Sequence, residues 1–147
     1  MKKDFEQIPH TADLKIRIYG ETMEDVFRHA LIGMFQVIGP HASQCEKTGE
    51  RLRCKELPSH RELVVIANNY ESLLVDFLSE ALYLSDVHNE AYLDVTINLL
   101  TDQSIKAKLH GIPVTTFDVV EIKAVTYHDL KLKKMNGGWQ TDIVFDI

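Results

Sequence analysis

The chain is poor in cysteine: two in 147 residues, Cys45 and Cys54. So few thiols exclude a disulfide-built scaffold, and their spacing matches no zinc knuckle. Both are expected to be reduced. The start, Met1-Lys2-Lys3-Asp4-Phe5, lacks the apolar stretch of a signal peptide, so the expected compartment is the cytoplasm. Long hydrophobic runs are missing too. None approaches the roughly 18 residues of a membrane span, and no membrane role is expected. Basic charge is in deficit: 16 Lys and Arg against 22 Asp and Glu give a net charge of −6. Such a protein is poorly suited to gripping phosphates directly, although a local basic patch could still exist. If RNA is involved, contact through a protein partner is the natural reading.

The common catalytic signatures are also absent. The sequence has no Gly-rich phosphate loop, no Gly-x-Ser-x-Gly elbow and no His-Glu-x-x-His helix. Its seven histidines are scattered without tight ligand spacing. No repeat, low-complexity tract or dividing linker is visible, so residues 1–147 read as one domain.

What is present is a strong alternation of patterns. Leu14, Ile16 and Ile18 alternate with Asp13, Lys15, Arg17 and Tyr19, the mark of a half-buried strand. Thr22, with Asp25 three residues on, opens a helix. Its apolar face runs Met23, Val26, Phe27, Ala30, Leu31, Met34, Phe35 and Ile38, and Gly39-Pro40 stops it. Residues 40–61 are irregular, with a weak strand near Arg51–Leu57. Residues 62–67 read as a buried strand. Asn68-Asn69 caps a second helix with Tyr70, Leu73, Leu74, Phe77, Leu78, Ala81 and Leu82 on its apolar stripe. Strands are then expected over 91–99, 104–109, 119–127, 130–135 and 139–147. Asn136-Gly137-Gly138 is a hairpin signal. This order predicts an α+β domain, a mostly antiparallel or mixed sheet with two main helices packed on it.

A few residues are candidates for chemistry. Asp13 stands at the start of a strand, facing away from the apolar side. In the last strand Ile143, Phe145 and Ile147 fall on the face predicted to be inward. Asp146 turns the other way. An anchored Ile147 would hold its carboxylate in place beside Asp146, and oxygen donors of this kind suit hard cations rather than zinc. Asp76 and Glu80 lie one helical turn apart, away from the centre of the stripe. Glu121, Lys123 and His128 belong to a strand and its following turn. Read singly, each of these also fits an ordinary solvated side chain.

Several segments together resemble the archease family. They are Pro9-His10-Thr11-Ala12-Asp13, the helix opening Glu21-Thr22-Met23-Glu24-Asp25-Val26-Phe27, Ser72 to Tyr83, Glu121-Ile122-Lys123-Ala124-Val125-Thr126-Tyr127-His128, and the terminal Val144-Phe145-Asp146-Ile147. They occur in the family's order, while residues 40–61 match poorly. The resemblance implies an accessory factor of the RtcB-type RNA ligase, which joins 2′,3′-cyclic or 3′-phosphate ends to 5′-hydroxyl ends after guanylylation by GTP. It implies no bond chemistry by this chain itself. It implies a divalent cation, Ca²⁺, held by Asp13, Asp146 and Ile147. His10, Asp76, Glu80, Lys123 and His128 would be supporting or partner-facing. For all three ligands to meet, the strands at the two ends of the chain must be neighbours. Two other readings remain: a general chaperone or modulator of nucleic-acid-processing enzymes, and a metal-dependent hydrolase using Asp13, Asp146 and His128.

Overall fold

In the computed structural model the described residues are 3–9, 13–49, 51–119, 122–126 and 130–147. The chain begins with β1 (Phe5–Ile8) and β2 (Leu14–Gly20), followed by α1 (Met23–Val37). Thr22 caps α1 through a reciprocal box: its hydroxyl accepts from Asp25 N, and the Asp25 carboxylate accepts from Thr22 N. After α1 come the short strands β3 (Pro40–His41), β4 (Glu46–Thr48) and β5 (Arg51–Arg53), then β6 (Ser59–Ile66) and α2 (Tyr70–His88). Asn69 caps α2, its side chain accepting from Ser72 N. The remainder is β7 (Glu90–Leu100), β8 (Ser104–Pro113), β9 (Thr116–Phe117), β10 (Ala124–Thr126), β11 (Lys133–Met135) and β12 (Gly138–Asp146).

The longer strands divide into two antiparallel sheets. One runs β1-β2-β12-β10, with β11 also paired to β12; the other runs β6-β8-β7. Helix α1 packs on β1, β2 and β12 and also on β7, so it joins the two sheets. Helix α2 lies against β6, β7 and β8 and reaches β10. The predicted helix faces meet here: Phe27 of α1 packs against Tyr70 and Phe77 of α2, and Phe35 packs against Tyr92 of β7. One core cluster contains Ile16, Ile18, Ile143 and Phe145 of the first sheet and Ile105, Ala107 and Leu109 of the second. This is the α+β arrangement expected of the sequence. The Asn136-Gly137 turn connects β11 to β12, with Gly137 at φ 76°, the left-handed region that glycine occupies without steric cost.

Four expectations need correction. Cys45 and Cys54 are joined in a disulfide rather than reduced. They sit just outside the Glu46↔Arg53 pair of the β4–β5 hairpin, which brings their Cα atoms to 4.5 Å. The segment 62–67 is not a fully buried strand. β6 ends the order of its sheet, and only Leu63, with Val65 partly, faces the helices; Val64 is 62% and Ile66 77% exposed. Among the described residues of the strand expected over 119–127, only Ala124–Thr126 are regular; Asp118 N and Val119 N instead donate to Gly39 O and Ile38 O after α1. Ile147 does not enter the core. Pairing of β12 ends at Phe145 on the β2 side and Asp146 on the β10 side, so Ile147 projects beyond the ladder and is 46% exposed.

Candidate cation site and its surroundings

The outward side chains of β2 and β12 share one face. On β12 these are Gln140, Asp142, Val144 and Asp146, between the buried Thr141, Ile143 and Phe145. Strand alternation alone produces that segregation. The antiparallel register then sets Arg17 opposite Asp142, Lys15 opposite Val144 and Leu14 opposite Phe145. Asp13 and Asp146 are the residues next after the last pair of this ladder, Leu14 and Phe145. Residues separated by nearly the whole chain thus meet at one end of the sheet. Asp13 is half-buried there, and Asp146 and Ile147 are exposed.

Lys123 belongs to the same end. Its N–H donates to Asp146 O at 2.7 Å, and the next residue, Ala124, pairs with Asp146. Its side chain is exposed and lines a cleft of about 550 Å³ with Ser79 and Tyr83 of α2. Asp76 and Glu80 lie on that same helix, half-buried and exposed respectively. The structure therefore gathers Asp13, Asp146, Ile147 and Lys123 at one sheet end, and sets α2 beside β10. His10, Glu121 and His128 lie outside the described residues, as does most of the His-Thr-Ala-Asp motif.

The donors at this end are oxygens, a chemistry that suits a hard cation such as Ca²⁺. Among the described residues no three His, Cys, Asp or Glu side chains form a metal-holding group. A cation held here by Asp13 and Asp146 would therefore take its further donors from main-chain oxygens, those of Ile147 included, and from water.

The same face carries a charge cluster that the sequence reading missed. Arg17 donates to both carboxylate oxygens of Asp142, from Nε at 2.9 Å and from Nη2 at 3.2 Å. Lys15 Nζ stands 3.7 Å from Asp142 Oδ2. The Arg17 hydrogen bonds hold the Asp142 carboxyl below the usual carboxylate range. They outweigh its partial desolvation, and the charges of Arg17, Lys15 and Lys133 add to the effect. The Arg17 guanidinium is pushed up in turn. Alternation had already put Lys15, Arg17 and Asp142 on outward positions. What it lacked was the pairing of two strands more than a hundred residues apart, which no local pattern encodes.

The sequence profile of the Archease protein family matches residues 5–147. The archease of Methanosarcina mazei is 39% identical over 153 residues, covering 99% of this chain and 97% of that protein. The archease of Pyrococcus abyssi is 34% identical over 152 residues, covering 99% of each. The solution structure of protein 1598 of Methanobacterium thermoautotrophicum superposes with a TM-score of 0.68 at 25% identity, over 98% of this chain and 99% of that one. A crystal structure of a Thermotoga maritima archease, described as a possible chaperone, gives a TM-score of 0.62 at 21% identity over 100% of this chain and 98% of that one, a likeness of fold. Matched along its length, and with β2 and β12 paired from opposite ends of the chain, the chain belongs to the archease family.

Proposed function

We propose that this protein activates an RtcB-type RNA ligase, promoting its GTP-dependent guanylylation and repeated turnover in tRNA splicing or RNA repair, without bond chemistry of its own. The observation that most supports this reading is the β2–β12 register, which pairs Leu14 with Phe145, the neighbours of Asp13 and Asp146, while Lys123 N donates to Asp146 O. On this reading Asp13 and Asp146, with main-chain oxygens of Ile147, hold a divalent cation, Ca²⁺. Such an ion neutralises charge developing on phosphate oxygens. The residues do the rest. The ladder brings the two strand ends that carry both carboxylates together before a partner arrives. Lys123, tied to Asp146 through the main chain, balances their charge. Asp76, Glu80 and Lys123 form the surface offered to the ligase, with His10 and His128 in support. The cytoplasm is the compartment, and RNA is reached only through the ligase. Among the described residues no helix is long and apolar enough to cross a membrane.

The test is GTP-dependent ligation with the cognate ligase in limiting amount, with and without this protein. Wild type is expected to convert a single-turnover reaction into a multiple-turnover one. Asp13→Ala is expected to fold and bind the ligase yet lose that effect. Full multiple turnover with the folded Asp13→Ala variant would remove the site from the mechanism. Suppression of aggregation of unrelated clients, independent of GTP, with no effect on ligation would instead favour a general chaperone.

A further inference from the structure

The outer face of the β6-β8-β7 sheet lies on the other main sheet from Asp13 and Asp146, and it carries a second constellation. Along β6 the outward residues are His60, Glu62, Val64 and Ile66, all exposed. The register sets His60 opposite His110 of β8, and His110 opposite Asp94 of β7. One row across three strands therefore reads His60, His110, Asp94. The two rings stand nearly perpendicular, their centroids 4.9 Å apart and their planes at 80°. Their Nδ1 atoms approach to 2.7 Å, and the remaining nitrogen of His110, Nε2, lies 2.7 Å from Thr96 Oγ1.

Two imidazoles meeting through the same nitrogen share one proton: one Nδ1–H donates to the lone pair of the other. With both protons moved to Nε2, both Nδ1 atoms carry a lone pair, side by side on the outer face of the sheet. Thr96 favours that state for His110, because its hydroxyl oxygen can accept from Nε2–H and fix the ring, as outer-shell partners of metal-bound histidines do. Two nitrogens bound cis at about 2.0 Å in a square-planar or tetragonal field lie about 2.8 Å apart, whereas tetrahedral ligands at that length lie about 3.3 Å apart. The observed spacing is close to the tetragonal value.

We propose that His60 and His110 chelate a late first-row divalent ion of the copper(II) or nickel(II) class through their Nδ1 atoms, with water completing a tetragonal set; the Asp94 carboxylate is taken by Val95 N and Arg28 and is not a ligand. The location suits such an ion. The row is open to solvent, so water ligands are at hand. Asp94 is close enough for its charge to act on His110, opposing the desolvation and the His60 and Lys108 charges that hold that ring's proton affinity down. Lys108 has Glu62 opposite it on β6. The site is independent of the ligase reading, and hard cations would not compete for its nitrogen donors.

The test is titration of the whole protein with Cu²⁺, followed by calorimetry and by electron paramagnetic resonance. It compares wild type, His60→Ala, His110→Ala, the double variant, Thr96→Val and Asp13→Ala. All are checked for folding by circular dichroism. Wild type is expected to bind one ion tightly with a spectrum showing two equatorial nitrogens, unaffected by excess Ca²⁺ and unchanged in Asp13→Ala. Loss of either histidine should weaken that ion about 100-fold, the advantage of holding both donors on one surface. Thr96→Val should weaken it about tenfold. If wild type binds Cu²⁺ no more tightly than the folded double variant, or the two-nitrogen spectrum survives in that variant, the proposal is overturned.

Discussion

Two neighbouring residues of β12, Thr141 and Asp142, show opposite treatments of polarity. Thr141 is 2% exposed, and its hydroxyl finds no hydrogen-bond partner among the described residues. A buried hydroxyl without a partner costs free energy that an isosteric methyl does not. Thr141→Val is therefore expected to leave stability unchanged or raise it by up to about 1 kcal/mol, measured by urea unfolding. Asp142, by contrast, is fully engaged by Arg17. Asp142→Asn is expected to cost about 1–2 kcal/mol at pH 7, the range for charge-assisted bonds discounted for partial exposure. Because folding lowers the Asp142 pKa, its contribution is present in full above the unfolded carboxylate value and is lost as pH falls through the folded one. The difference between wild type and variant should therefore be constant above about pH 5 and shrink below about pH 4. Unfolding curves across that range measure it. A difference that grew on acidification would contradict the assignment.

At the scale of the elements, helices were legible and strand partners were not. The α1 boundaries followed from Thr22, Asp25 and Gly39-Pro40, since caps and breakers act within a few residues. The α2 stripe followed from spacing, and the β11–β12 hairpin from Asn136-Gly137. The β6 reading failed because an unbroken apolar run, Leu63 to Ala67, looks the same whether one face is covered or two. Only the position of β6 at the end of its sheet decides between them. The candidate cation site was legible only in outline: alternation turned Asp13 and Asp146 outward, and bringing them together rested on family resemblance, while the β2–β12 register pairs their neighbours Leu14 and Phe145. Ile147 failed for a related reason, since a strand pattern does not say where its partners stop. The second sheet makes its own demand at Gly111, opposite Tyr92. A Cβ there would stand 2.2 Å from Ala91 O and 2.7 Å from the Tyr92 ring. The first of these is main chain and cannot yield without parting β7 from β8. Gly111→Ala is expected to destabilise by about 3 kcal/mol, read by thermal or urea unfolding.

Across the whole molecule, the irregular stretch after α1 is tied down at two points. Cys45–Cys54 closes the hairpin covalently, and Gln36 of α1 holds its second strand by donating from Nε2 to Leu52 O at 2.9 Å and accepting from Leu52 N at 2.8 Å. The loop closed by the disulfide is short, so reduction should remove about 2–3 kcal/mol at most, and should remove it locally. Hydrogen exchange is expected to accelerate over residues 45–54 on reduction, while the environment of Trp139, in the other sheet, stays unchanged. Global loss of Trp139 packing would show that the hairpin supports the core. The two sheets also differ in when they can form. β6, α2, β7 and β8 are consecutive, so their ladder joins near neighbours along the chain. The β2–β12 ladder unites residues as far apart as Arg17 and Asp142, 125 positions. Closing so large a loop is entropically slow, and contacts of that separation retard folding. The ladder's end at Leu14 and Phe145, next to Asp13 and Asp146, is thus expected among the last features to assemble. A chain able to present Asp13 beside Asp146 is one that has already completed its fold.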